Sequence, residues 1–219
     1  MLIRFASARD GAALGAYLER LLHFDKTAAV RLVGVGTAVA AYTGPPFGGR
    51  TVLALRLAAL KQGKGQSANP FDVTVLAGKL LEGFAHDDTE LTIPSTMVGG
   101  PSWAGLLPPR AGWTRIGLIS VRELGRAATQ GNADFRFRAL GLDRAGLDAL
   151  GEEIWSRPVE AARIPDSADP PLTLRTAHAA QALGFLGPDA EQSEELAQLA
   201  RIGRWLRIDA PYGTVLQRD

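Results

Sequence analysis

The stretch from Pro94 to Trp113, PSTMVGGPSWAGLLPPRAGW, constrains this chain more than any other. Prolines at 94, 101, 108 and 109 and glycines at 99, 100, 105 and 112 rule out a regular helix or a central strand across it. A connection of that length inside a compact domain is either a functional loop or a disordered linker. Trp103 and Trp113 decide between the two, because disordered segments are poor in aromatics. The expectation is an ordered loop packed over some other part of the chain.

The 219 residues fit one large domain or two small ones, and the reading adopted is a single α+β domain over 1–219. Hydrophobic residues at 46% and charged residues at 21% are an ordinary globular balance, enough for a core without staples. The absence of cysteine excludes disulfides, thiolate metal sites and cysteine nucleophiles, and it fits a reducing compartment. The N-terminal MLIRFASARDG lacks the apolar run of a secretory signal, and no segment reads as a membrane span, so cytoplasm is the expected location. Net charge is only +1 and is spread evenly, which gives no electrostatic case for nucleic acid. The expected partners are therefore a protein or a small molecule, with no nucleic acid and no membrane, and a homodimer as the candidate assembly.

Local patterns supply the elements. Ser7 and Asp10 mark a helix start, and Leu14, Leu18, Leu21 and Leu22 form one helical face running to about Phe24. Residues 28–43 hold two β-rich runs around Gly34-Val35-Gly36, and in 50–60 Leu53, Leu55 and Leu57 alternate with Val52, Ala54, Arg56 and Ala58. Three strands with short connections predict an antiparallel meander. Residues 61–70 read as a polar loop without the spacing of a phosphate-binding P-loop. Val73, Leu76, Ala77, Leu80, Leu81 and Phe84 predict a second helix, and ELTIP a short strand.

Ser120 and Glu123 form a capping box that opens a helix to about Gln130, resuming over 135–139. Asp143 caps another, striped by Leu147, Leu150, Ile154 and Trp155 and stopped by Pro158. A loop over RIPDSADPP, a helix over about 172–186 and a short surface helix in EQSEELAQLARI follow. Residues 204–218 read as a hairpin around Pro211-Tyr212-Gly213, best protected by joining the N-terminal sheet. The resulting fold is α+β, an antiparallel sheet of N-terminal meander plus C-terminal hairpin packed by four to five helices. No internal repeat is visible.

The chemistry-bearing residues are few. His178 lies in the apolar helix LRTAHAAQALGFL with no carboxylate within a turn to orient it as a base. His23 and His86 adjoin acids without a metal-ligand spacing, so no metal and no cofactor are expected. Ser102 has small neighbours, but Pro101 and Trp103 are wrong for a nucleophile elbow. Arginines carry more weight. Arg31 and Arg56 interrupt apolar strands, Arg110 sits in the proline loop, and Arg136 and Arg138 alternate with Phe135 and Phe137. A guanidinium beside an aromatic binds an oxyanion or stacks on a ring; the plain alternative is an outward face paired with surface acids. Likewise the tryptophans are core plugs or walls of a binding surface.

The segments WAGLLPPRAGW (103–113), EIWSRP (153–158), AHAAQALGFL (177–186) and GRWLR (203–207) resemble those of a group of uncharacterised actinobacterial proteins of similar length. That resemblance covers most of the chain and implies a cytosolic bacterial protein, with no activity attached. Three function classes follow. The first is a non-catalytic binding module using the 94–113 loop, with Trp103, Arg110, Trp113, Arg56 and His178 as candidate contact residues. The second is a small-molecule hydrolase built on His178. The third is a structural homo-oligomer formed through a sheet edge.

Overall fold

The computed structural model describes residues 1–45, 49, 51–61, 70–96, 99–162 and 171–219. Most of the polar loop expected over 61–70, and the loop expected over RIPDSADPP, lie outside the described residues. The chain divides into two compact units, Met1–Pro46 with Leu53–Leu107, and Phe47–Val52 with Pro108–Asp219. The α+β class expected from the sequence is found, with antiparallel strands and five α-helices among the described residues.

In the first unit, β1 (Leu2–Arg4) leads into α1 (Ala8–Phe24), followed by the meander β2 (Ala29–Val35), β3 (Ala38–Thr43) and β4 (Val52–Ala59). Then come β5 (Asp72–Leu76), α2 (Ala77–Leu81) and β6 (Glu90–Thr92), with strand order β5-β2-β3-β4 and β1 paired to β6. Ser7 caps α1 as expected, its Oγ accepting from Asp10 N. Leu14, Leu18 and Leu21 are at most 1% exposed. Each such leucine contributes about 2 kcal/mol of apolar burial, which outweighs anything the cap supplies.

One helix expectation fails here. Residues 72–76 form a strand on β2 and only Ala77–Leu81 is helical. The β-branched run Val73-Thr74-Val75 loses rotamer freedom in a helix, while β2 offers it a ladder of backbone partners. The hairpin turn between β2 and β3 falls at Gly36–Thr37, with Gly36 at φ +57°.

In the second unit, β7 (Thr114–Ser120) leads into α3 (Val121–Arg138), α4 (Arg144–Trp155) and α5 (Leu174–Ala182). The meander β8 (Leu196–Ile202), β9 (Trp205–Ala210) and β10 (Gly213–Arg218) closes it, in the order β10-β9-β8-β7. Asp143 caps α4 through Gly146 N at 2.8 Å. Ser120 stands at the start of α3 but its hydroxyl makes no capping bond. The break expected after Gln130 is absent, because Gly131 is where the Trp155 ring seats: a Cβ there would lie 3.1 Å from it.

The expected surface helix near residue 196 is a strand. β8 has a partner on each side, and Ala197, Leu199 and Ala200 are buried there. Tertiary pairing overrides the weak helical preference of an alanine- and leucine-rich heptamer. Gln217 on β10 anchors α5: its Oε1 accepts from Thr173 N, Thr173 Oγ1 and Thr176 Oγ1 at 3.1, 3.0 and 2.8 Å.

Both units therefore run strand, helix, three-strand meander: β1-α1-β2-β3-β4 and β7-α3 through β8-β9-β10. The sequence carries no trace of this recurrence, because burial patterns can repeat without any residue repeating.

Candidate functional site

Of the proline and tryptophan segment, residues 94–96 and 99–113 are described, and each end is held by its own unit. In the first unit, Ser102–Gly105 forms a 3-10 turn closed by Ala104 N to Pro101 O at 2.8 Å. The Trp103 indole lies against Gly44, where a Cβ would come within 3.0 Å of the ring. Arg31 ties the turn down. Its Nη1 donates to the Ala104 carbonyl, while Nε and Nη2 form a fork on Asp72 at 2.7 and 2.6 Å. The Arg31 guanidinium is thereby held even further above its ordinary range, chiefly through the Asp72 hydrogen bonds. The plain alternative weighed for Arg31, a strand cation pairing with an acid, describes this side chain.

In the second unit, Gly112 turns the chain at φ +89° and Trp113 Nε1 donates to Pro109 O at 2.9 Å. The Arg207 guanidinium stacks over the Trp113 ring at 4.7 Å, a contact worth about 0.5–1 kcal/mol at a half-exposed site. Arg110 is exposed between them. Trp103 and Arg56 thus belong to the first unit, and Arg110, Trp113 and His178 to the second. Sequence reasoning missed Arg207, since nothing in the primary structure links β9 to Trp113.

His178 is a core residue. It is 5% exposed on α5 and packs on the Trp155 ring at 4.6 Å between centroids. Burial alone pushes its imidazole down to about 4 from 6.5, so the ring is neutral at pH 7. It does not border the groove of about 590 Å³ that opens in this unit between α3 and residues 157–161. A hydrolase needs its base where substrate reaches it, and this imidazole is enclosed.

That groove is edged by ion-paired groups. Arg157 donates to Asp134 Oδ2 and Glu153 Oε1 at 2.6 Å each, and Arg138 forks onto Glu153 at 2.8 and 2.7 Å. Arg138 and then Arg157 hold the Glu153 carboxyl down to about 2. These cations are already engaged. Arg138 fulfils the plain alternative of pairing with surface acids. Phe137, beside it, is 79% exposed.

Arg56 is different. It projects from the α1-covered face of β4, between Ala54 and Ala58, opposite Ala41 of β3. On the same face Tyr17 Oη and Thr43 Oγ1 share a hydrogen bond of 2.6 Å. Burial, with that bond opposing it, pushes the Tyr17 phenol far above its ordinary range. Arg56 Nε is inaccessible to solvent and has no hydrogen-bond partner among the described residues. Among the described residues, no group of three or more His, Cys, Asp or Glu side chains is placed to hold a metal ion. No described helix is long and apolar enough to cross a membrane.

Known structures share this fold. The DNA polymerase III subunit beta of Pseudomonas aeruginosa matches 100% of this chain and 63% of its own, at 12% identity and a TM-score of 0.52. The DNA polymerase sliding clamp of the same organism, solved with a ligand, matches 100% and 63%, at 12% identity and a TM-score of 0.51. The Caulobacter crescentus sliding clamp gives 99%, 64%, 14% and 0.49. The chain thus spans less than two thirds of the length of these clamps. No curated protein matches it.

The likeness corrects one expectation. The even charge balance argues against nucleic acid, yet the fold is one that DNA polymerase sliding clamps use, so that exclusion does not stand. Charge counted over a whole chain averages away any local cluster.

Two family models divide the chain where the contacts do. The one described as domain of unknown function DUF8010 covers residues 1–105, and the one described as domain of unknown function DUF8185 covers residues 108–219. The join falls within the 94–113 segment, which is the connection between two separately recognisable halves. With just over half of its length matched, the chain belongs to the DUF8185 family.

Proposed function

We propose that this chain is a non-catalytic interaction module that acts at nucleic acid. The observation that supports the reading is the likeness of the whole chain to 63% of the DNA polymerase III beta subunit of Pseudomonas aeruginosa, at a TM-score of 0.52. Two further features agree with it. The enclosed, neutral His178 is a poor general base, which weakens the hydrolase alternative. The part of the 94–113 segment in the second unit offers an exposed Arg110 and a half-buried Trp113, side chains suited to phosphate contact and base stacking. That part is the proposed contact surface.

The test is fluorescence anisotropy of a labelled short duplex and a labelled single strand, titrated with the full chain across a salt series. Binding that weakens linearly on a log–log salt plot is expected, because phosphate contacts release counterions. Substituting Arg110 should weaken it uniformly across sequences and lower the salt slope by about 1. No binding to either strand form at low salt would overturn the proposal.

A further inference from the structure

We infer that the second unit binds single-stranded nucleic acid at the end of its sheet where β8 turns into β9. Trp113 is the stacking platform there, and Arg110, Arg115, Arg204 and Arg207 contact the phosphates. The inference rests on the nucleic-acid reading and names its ligand as a single strand rather than a duplex.

Strand register gathers these side chains from distant parts of the sequence. Arg115 of β7 pairs with Ala200 of β8, and Ala200 pairs with Arg207 of β9. The two arginines therefore stand on one face of the sheet with a single small residue between them. At the ordinary spacing of strands their Cα atoms are about 10 Å apart. A bulge between Arg115 and Gly117 creates this arrangement. In an unbroken ladder running back from the Gly117–Leu199 pair, Arg115 would oppose Arg201 and project from the other face. The Arg207 guanidinium lies over the Trp113 ring at 4.7 Å. Gly112 rests on Ile202, the last residue of β8, where an added Cβ would stand 3.1 Å from Ile202 Cδ1. Gly203 and Arg204 then form the turn into β9, closed by the pairing of Ile202 with Trp205. Arg204 and the 110–113 segment thus share one corner of the sheet.

That corner is basic. β7 and β9 begin there and β8 and β10 end there, which brings Arg110, Arg115, Arg201, Arg204, Arg207 and Arg218 to one end of the sheet with Asp209 and Asp219. Asp209 pairs with Arg207 at 2.9 Å and Asp219 with Arg201 at 3.4 Å. Arg110, Arg115 and Arg204 are exposed and have no ion pair among the described residues. The helical cations Arg138 and Arg157 of the same unit, by contrast, are each forked onto acids. Exposed cations without counter-charges attract a polyanion and gain by releasing its counterions. Trp113 decides which form of polyanion fits. In a duplex the base faces are stacked on one another, whereas a single strand offers each face to an aromatic ring. Arg207, behind the half-exposed indole, holds the ring in place and adds a cation–π contribution.

The probe is a labelled oligothymidylate of about 12 nucleotides, titrated with the full chain in fluorescence anisotropy across a salt series, with a labelled duplex of equal length as the reference. The wild type is expected to bind the single strand more tightly than the duplex. Trp113→Ala should weaken single-strand binding by about 5- to 150-fold, which is one stacked base at about 1–3 kcal/mol. Trp113→Phe keeps an aromatic plane and should retain much of the affinity, which a loss of folding would not allow. Arg115→Gln and Arg204→Gln should each lower the single-strand salt slope by about 0.7. Both side chains are exposed, so melting curves of these variants should match the wild type. Arg144→Gln, which removes an exposed cation paired with Asp148 on α4, should leave affinity and slope unchanged.

The outcomes separate this inference from the reading beneath it. A duplex bound more tightly than the single strand overturns the inference while the nucleic-acid reading stands. So do single-strand affinities and salt slopes in Trp113→Ala, Arg115→Gln and Arg204→Gln that all equal the wild type. Binding to neither strand form removes both.

Discussion

Replacing Gly11 by alanine tests how α1 is seated on the first unit. In an open helix interior the change stabilises by about 0.5–1 kcal/mol, since glycine loses more backbone entropy than alanine on folding. Gly11 is not in open space. A Cβ there would fall 1.9 Å from the Asp88 carbonyl oxygen, 2.9 Å from the Asp88 carbonyl carbon and 2.9 Å from Phe5 Cδ2. The first two are backbone atoms of a turn already held at φ +56°, so they cannot rotate away as a side chain would. Relieving the overlap means lifting α1 or shifting the 87–89 turn, a kind of overpacking that costs about 1–3 kcal/mol.

The clash therefore reverses the usual sign, with a net loss of about 1 kcal/mol. At about 2–4 °C per kcal/mol for a chain of this size, the melting temperature should fall by about 2–5 °C. Gly15, one turn along the same helix, has nothing within 4 Å of where an added methyl would stand and is the internal control. Gly15→Ala should raise the melting temperature by about 1–4 °C. Circular dichroism melts of both variants decide the matter. A Gly11→Ala chain as stable as the wild type would refute the seating of α1 against the 88 turn.

Three other outcomes are expected. Tyr17→Phe should cost about 1–3 kcal/mol, because it strands the fully buried Thr43 hydroxyl; adding Thr43→Val should recover much of the loss in a double-mutant cycle followed by urea unfolding. His178 holds its proton less tightly when folded, at about 4, than unfolded, at 6.5. Stability should therefore fall as pH drops from 6.5 towards 4, by on the order of 3 kcal/mol, with no further loss from this group below that; a His178→Gln chain whose stability has the same slope in that window would refute the assignment. Arg31→Met removes both the Asp72 fork and the bond to the Ala104 carbonyl, so limited proteolysis should cut faster near residues 102–107, and an unchanged digestion rate would count against Arg31 as the anchor.

Much of this architecture was legible in the primary structure where one element's own residues decide its form. The leucine stripe and serine cap set α1, Asp143 set α4, the alternation of residues 52–59 set β4, and Pro211-Tyr212-Gly213 set the last hairpin. The prolines and glycines of 94–113 announced a segment without regular helix or strand, and its described part up to Trp113 has none beyond a 3-10 turn at Ser102–Gly105. These are local effects: periodicity, caps and turn chemistry act within a few residues.

The features that escaped a reading of the primary structure depend on distant partners. Residues 72–76 and 196–202 had helical patterns and became strands because β2, β7 and β9 offered them backbone ladders. Arg31 and Arg56 look alike as cations in apolar strands. The folded chain gave Arg31 a carboxylate and a carbonyl and left the Nε of Arg56 without a hydrogen bond among the described residues. His178 reads as a candidate base and is a core residue, since burial is set by what packs over a helix face and not by the helix itself. Local residue chemistry dictates which segments can be helix, strand or turn. Which charges are compensated is a property of the folded chain, because compensation requires groups far apart in sequence to meet.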